Sequence, residues 1–294
     1  MAEKLTLVVT CTDRKSSRPR DHLRFENLPR GSWPERAARW RAALASEPLR
    51  KPLRRLYQGE SWTQVLKLEE SVRRAGFEPT LLVASAGLGL VGADESWPSY
   101  AATFSPRHAD TIGRTAIENR SWWGLITEEQ RSLRELTRGQ TVLVLSEAYS
   151  QAMAPDLSSL GGREDVVVFG GSKEIPDDLR IPADRNLRFA LGGTSGSLNL
   201  RTAKAWIENL DSPSVVGRRN DPRWLTRVEE MRKPEVYDRT PLKDAEVIDF
   251  VLQMRRRDGR LSKTRALRLL RDSGLACEQK RFGGLFDVAV RREG

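Results

Sequence analysis

LTLVVT, residues 5–10, runs straight into the polar segment CTDRKS at 11–16, and this junction decides the fold. A short, nearly continuous apolar run of Leu and Val reads as a strand covered on both faces, and a polar loop at its end marks where it leaves the sheet. Four further runs have the same character: Thr80–Ala84, Thr141–Leu145, Val166–Phe169 and Leu187–Leu191. Helical patterns lie between them. In residues 61–75, Trp62, Val65, Leu66, Leu68 and Val72 recur at helical spacing, and Gly76 stops the run. Residues 127–138 open on Thr127 as N-cap and end before Gly139. Residues 195–210 open at Ser195 or Ser197 and carry Leu200, Ala203, Trp206, Ile207 and Leu210. Strands alternating with helices predict an α/β fold, a three-layer and mostly parallel sheet over residues 1–210.

At 294 residues the chain exceeds the usual single-domain size, so one large core with a small appended domain is expected. No apolar run approaches the roughly 20 residues of a membrane span. The start, MAEKLTLVVTCTDRK, enters a strand without a signal peptide, which predicts a cytoplasmic protein with no membrane partner. Cys11 and Cys277 lie at opposite ends, so free thiols are expected rather than a disulfide framework or a metal-binding CxxC. The net charge is +10 and unevenly spread. Residues 1–60 carry 14 Lys and Arg against 7 Asp and Glu, and residues 241–294 carry 13 against 8, whereas the stretch between them is nearly neutral. Basic ends suit a polyanionic partner, since clustered cations release counterions from phosphates. An Arg-rich composition whose cations are merely solvated is the plainer alternative.

Asp211 to about Leu242 is rich in Pro, Arg and Asp and lacks periodicity, so residues 211–241 read as a connector, packed because it holds Trp224 and Tyr237. Residues 242–294 then change pattern. An amphipathic helix over 243–257 is broken by Gly259. Ser262 caps a second helix, KTRALRLLRDSG, which turns Lys263, Arg265, Arg268 and Arg271 outward and ends at Gly274. CEQKRF, Gly283-Gly284 and LFDVAV read as a β-hairpin that adds Lys280 and Arg281. Two helices and a basic hairpin make a winged-helix-like module for duplex DNA.

Ligands of parallel α/β sheets bind beyond the carboxyl ends of the strands, so the loops there are the places to search. The first holds Asp13, Arg14 and Lys15, a carboxylate and two cations able to hold a phosphate or a base edge. The second spans Ser85 to Phe104. Its Gly87 and Gly89 allow close approach to a ligand, and Asp94, Glu95, Trp97, Tyr100 and Phe104 are what a base pocket needs. GLGLVG matches the glycine spacing of a dinucleotide loop, but no patterned helix follows it, and an Ω-type loop plugged by its own Trp and Tyr competes. The third, Gly192 to Asn199, leads through Ser195 into a helix N-terminus, an arrangement that binds anions or simply caps. Walker, GxSxG and HxE/PCxxC motifs are absent from the sequence, only His22 and His108 exist, and neither a metal nor an organic cofactor is expected.

VTCTDRKS at 9–16, LYQGESW at 56–62, ASAGLGLV at 84–91, PSYAATF at 98–104 and LSEAYSQA at 145–152 together resemble a bacterial family with loops of this form. That family looks related to the uracil-DNA-glycosylase-like α/β fold also found in archaeosine synthase, and it occurs in phage defence, including anti-phage DNA glycosylases. The resemblance covers roughly residues 5–210. It implies an enzyme that excises a base, modified in the favoured case, from DNA. Excision passes through an oxocarbenium-like state, which needs a carboxylate by the sugar, donors to the leaving base and an aromatic pocket. Asp94 is the first choice for the carboxylate and Asp13 the second. Tyr100, Trp97 and Phe104 are expected to stack the base, and Arg14, Lys15 and Asn199 to hold phosphate or base edges. A non-catalytic DNA-binding regulator or sensor and a 7-deazaguanine base-exchange enzyme remain the competing readings.

Overall fold

The computed structural model describes residues 2–233 and 239–293. Six strands form one sheet: β1 (Glu3–Thr10), β2 (Phe77–Ser85), β3 (Gly89–Gly92), β4 (Thr141–Leu145), β5 (Val166–Gly170) and β6 (Arg180–Ile181), in the order β3-β2-β1-β4-β5-β6. All neighbours are parallel except β2 and β3, which form an antiparallel hairpin. Leu7, Val8 and Val9, and Val142 through Leu145, are buried at consecutive positions. Both faces of the central strands are therefore covered, as their unbroken apolar sequence requires.

The helices that cover them divide into two sets. The first contains α1 (Trp33–Ser46), α3 (Ala116–Thr127) and α4 (Glu147–Ala152); α1 packs on α3, and α3 on α4. In the second, α2 (Glu60–Arg74) packs on α5 (Leu198–Ile207). Ser32 and Glu35 close a capping box on α1, which buries Ala37, Trp40 and Leu44 along one face. Thr115 and Glu118 do the same for α3, so Thr127, read from sequence as the start of a helix, is the last residue of one. A separate turn of helix, Leu133–Leu136, starts at its own cap, Ser132.

Leu187–Leu191 is not a strand. Asp184 accepts a bond from the Asn186 amide and starts a 3-10 turn that runs into the short helix Arg188–Leu191, with Phe189 exposed. Local capping defeats a pattern that looked apolar enough for the sheet.

The chain divides into two compact units, Met1–Pro234 and Glu235–Gly294. Most of the expected connector belongs to the first: Val215 and Trp224 are buried in its core, with Val228 and Met231 of α6 (Pro222–Met231) packed against it. Tyr237 lies outside the described residues.

Among the described residues the second unit has three helices, α7 (Asp244–Arg257), α8 (Lys263–Asp272) and α9 (Gln279–Glu293), and a short parallel pairing of Thr240–Pro241 with Leu275–Ala276. Ser262 caps α8 as expected, and Gly274 ends it at φ +74°. The expected hairpin is instead helix α9. Phe282, Phe286 and Ala289 recur at helical spacing and fill the unit's core, while the Glu278 carboxylate accepts from the amides of Lys280 and Arg281. Helical Gly283 and Gly284 cost about 1 kcal/mol each, which burying two phenylalanines at about 1.5–3 kcal/mol each outweighs. With a helix in place of the wing, the winged-helix reading is not sustained. No helix among the described residues is long and apolar enough to cross a membrane.

Candidate active site at the strand switch point

From β1 the chain passes outward to β2 and β3, then returns across β1 to start β4 on its other side. The two halves of the sheet therefore part between the carboxyl ends of β1 and β4, where loops diverge and leave a crevice. A cavity of about 190 Å³ occupies this point. Cys11 and Asp13 from the β1 loop, Ser146 after β4, Tyr149 on α4, Thr103 and Asn199 line it. Asp13 also lines a second, outer cavity of about 340 Å³, with Lys15, Arg18, Arg24, His108 and Asp110. Asp13 thus stands between two hollows.

The inner cavity is fixed by bonds between distant segments. Thr10 Oγ1 accepts from the Ser146 amide at 3.1 Å, tying the two strand ends together. Asn199 Nδ2 donates to the Leu145 carbonyl, which leaves its Oδ1 free of that bond. Gly170, at φ +79°, is what lets Asn199 reach in, because a Cβ there would sit 1.9 Å from Nδ2. Tyr149 OH lies 3.1 Å from Cys11 Sγ, and burial raises the phenol well above its ordinary range, so it stays protonated at neutral pH. Both cysteines are free thiols.

Charge organises the outer cavity. Asp110 is buried, and its carboxylate accepts from Arg24 at 2.9 Å and from the Glu26 amide at 3.2 Å. The Asp110 amide donates to His108 Nδ1 at 3.1 Å, so the neutral imidazole carries its proton on Nε2, which faces Asp13 Oδ2 at 3.6 Å. Lys15 Nζ lies 4.4 Å from the Tyr100 ring centroid, and burial lowers its pKa. Among the described residues, no group of three or more His, Cys, Asp or Glu side chains could hold a metal ion.

The loop after β2 is held mainly by packing from other segments, with Tyr100 and Ala101 bordering the outer cavity. Trp122 and Trp40 donate their indole N–H groups to the Ala86 and Gly87 carbonyls, each at 2.7 Å, while Ser85 Oγ accepts from the amides of Gly87 and Leu88. Gly87 makes room for the Tyr100 ring, and Gly89 for Gln130. Tyr100 is fully buried, its hydroxyl 2.5 Å from both Tyr57 OH and Ser85 Oγ. Phe104 is a buried edge-on neighbour of Trp123 and Tyr149, and Trp97 lies near Arg50, outside both cavities. Asp94 is 79% exposed and ion-paired to Arg54, whose bond lowers its pKa; it too lies outside both cavities. Arg14 packs over Gly59 at the start of α2, and exposed Ser195 lines neither cavity, although the neighbouring Gly196 does.

Asp13, Lys15, Tyr100 and Asn199 are the expected residues that line the cavities, Tyr100 at the outer one. Tyr149, His108, Asp110 and Arg24 were not singled out from sequence. His108 and Asp110 sit two apart in a loop whose proximity to Asp13 only the chain path creates.

On α8 and α9, Lys263 pairs with Asp287, Arg265 with Asp258 and Arg281 with Asp244. Arg268 and Lys280 are exposed and Arg271 half-buried. Comparisons with protein-family models, with curated proteins and with solved structures each return no match.

Proposed function

We propose that this protein hydrolyses the N-glycosidic bond of a base in DNA, a modified base in the favoured case, and that it does so in anti-phage defence. The single observation that carries the reading is the place of Asp13: a carboxylate between two cavities at the switch point, with the imidazole Nε2–H of His108 beside it. Bond cleavage leaves positive charge on the sugar, which a carboxylate at that position stabilises while it orients the attacking water. A base entering the inner cavity meets the Asn199 amide oxygen and the protonated Tyr149 hydroxyl, groups able to bond a base edge and the departing base. Arg18 and Arg24 give the outer cavity the cations that a backbone phosphate needs. The loop-sequence resemblance to uracil-DNA-glycosylase-like proteins agrees with this assignment, as does a ligand crevice at a parallel sheet's switch point. DNA as partner is also favoured by the net charge of +10.

The test incubates the purified protein with unmodified and hypermodified phage DNA and assays free base and alkali-sensitive abasic sites. Base release from one DNA class is the expected result. Binding with no base release points to the sensor reading, and incorporation of an added 7-deazaguanine points to base exchange.

A further inference from the structure

We infer that Lys15 is a carbonyl-reactive amine, which condenses with the open-chain aldehyde of an abasic deoxyribose and carries the site from base release on to strand cleavage. The inference rests on the glycosidic reading above and adds a second activity to it.

Four features set this lysine apart from a solvated one. Its Nζ lies over the Tyr100 ring and 5.6 Å from the centroid of Tyr57, two buried aromatics. Its polar contacts are long ones to backbone carbonyls, those of Thr12 at 3.5 Å and Asp13 at 3.3 Å, and among the described residues no carboxylate forms an ion pair with it. It borders the outer cavity, and so does the Asp13 side chain. Burial disfavours the ammonium form, and this outweighs the attraction of Cys11, Asp13 and Asp110. A desolvated amine with a larger neutral fraction is a better nucleophile toward a carbonyl.

The chemistry balances without metal or redox partner. The amine nitrogen adds to C1′ of the aldehyde, and the carbinol oxygen takes a proton from solvent and leaves as water, giving a protonated imine. Asp13 takes a C2′ proton, and the electron pair from that C–H bond expels the 3′ phosphate. Water then hydrolyses the unsaturated imine and returns the free amine.

The experiment mixes the full-length protein with a duplex oligonucleotide holding one preformed abasic site, adds sodium borohydride to reduce the imine, and maps the covalent adduct by peptide mass spectrometry. The expected result is an adduct on the Lys15 peptide that is lost in Lys15→Arg. Absence of an adduct on the wild-type protein, or one confined to other lysines and retained in Lys15→Arg, overturns the inference. Mapping on the wild-type chain decides the matter even where the variant fails to fold. Failure to release base from intact DNA would overturn the parent reading, whereas the preformed abasic site tests Lys15 independently of that step.

Discussion

His108 Nε2 faces Asp13 Oδ2 at 3.6 Å because its other ring nitrogen is occupied by the Asp110 amide. The distance is longer than a formed hydrogen bond and short enough to close when substrate fills the cavities. Asp110 in turn is anchored by Arg24, so the imidazole is oriented by a buried ion pair rather than by solvent.

Asp13→Asn is expected to lower base release by about a hundredfold or more with an unchanged melting temperature, since its side chain is 63% exposed and supports no core contact. His108→Ala removes an orienting partner, for which about tenfold is expected. Asp94→Asn is expected to leave turnover unchanged. Single-turnover assays on one modified DNA decide all three, and a collapse of activity in Asp94→Asn would move the site.

Tyr100→Phe removes the hydroxyl that the buried Tyr57 hydroxyl bonds, while Ser85 Oγ keeps the amides of Gly87 and Leu88. The expected loss is about 1–3 kcal/mol in urea unfolding. A variant as stable as the wild type would mean that a water replaces the lost hydroxyl.

Acid should loosen the segment around α6. Asp221 caps that helix through the Arg223 amide and pairs with the side chains of Arg223 and Arg218, which hold its pKa down to about 2. A depressed folded-state pKa gives stability that is fully present above the ordinary Asp range, near 4, and is lost as pH falls through about 2. Asp221→Asn is expected to flatten the pH dependence of stability in that window, read by thermal melts between the two limits.

Gly283→Ala and Gly284→Ala separate the two readings of the C-terminal segment by sign. Added Cβ atoms meet nothing within 4 Å in the helix, so each substitution is expected to stabilise by about 0.5–1 kcal/mol. In a hairpin turn the same changes would destabilise. Denaturation of the full chain monitored by helical circular dichroism gives the answer.

Replacing Arg268, Arg271 and Lys280 together by Ala is expected to reduce the slope of log affinity for duplex DNA against log salt by about 2 to 3, at roughly 0.9 per lost phosphate contact. An unchanged slope would move the DNA contact to the basic N-terminal segment of the first unit.

Periodicity and caps made much of this fold legible. Thr141–Leu145 is a strand with the expected bounds, and Ser262 caps the helix expected after it. Misreadings arose where two local signals competed. Gly283-Gly284 carries a turn signal, yet Phe282, Phe286 and Ala289, spaced four and three apart, share one buried face in a helix. Composition drew attention to the loop after β2, but glycines and aromatics side by side are also what a tightly packed loop needs, and two tryptophans from α1 and α3 anchor its backbone. Tyr149 and His108 carried no local signal, because a cavity wall depends on where strands cross and not on which residues are adjacent.

The walls of the inner cavity come from distant parts of the first unit, Asp13 near its start and Asn199 after its sixth strand. At ordinary translation speeds the ribosome makes the second on the order of ten seconds or more after the first. During that interval Asp13 exists on a chain whose inner cavity lacks its Asn199 wall. If the chain acts as proposed, base release waits until α5 docks and brings Asn199 to the inner cavity.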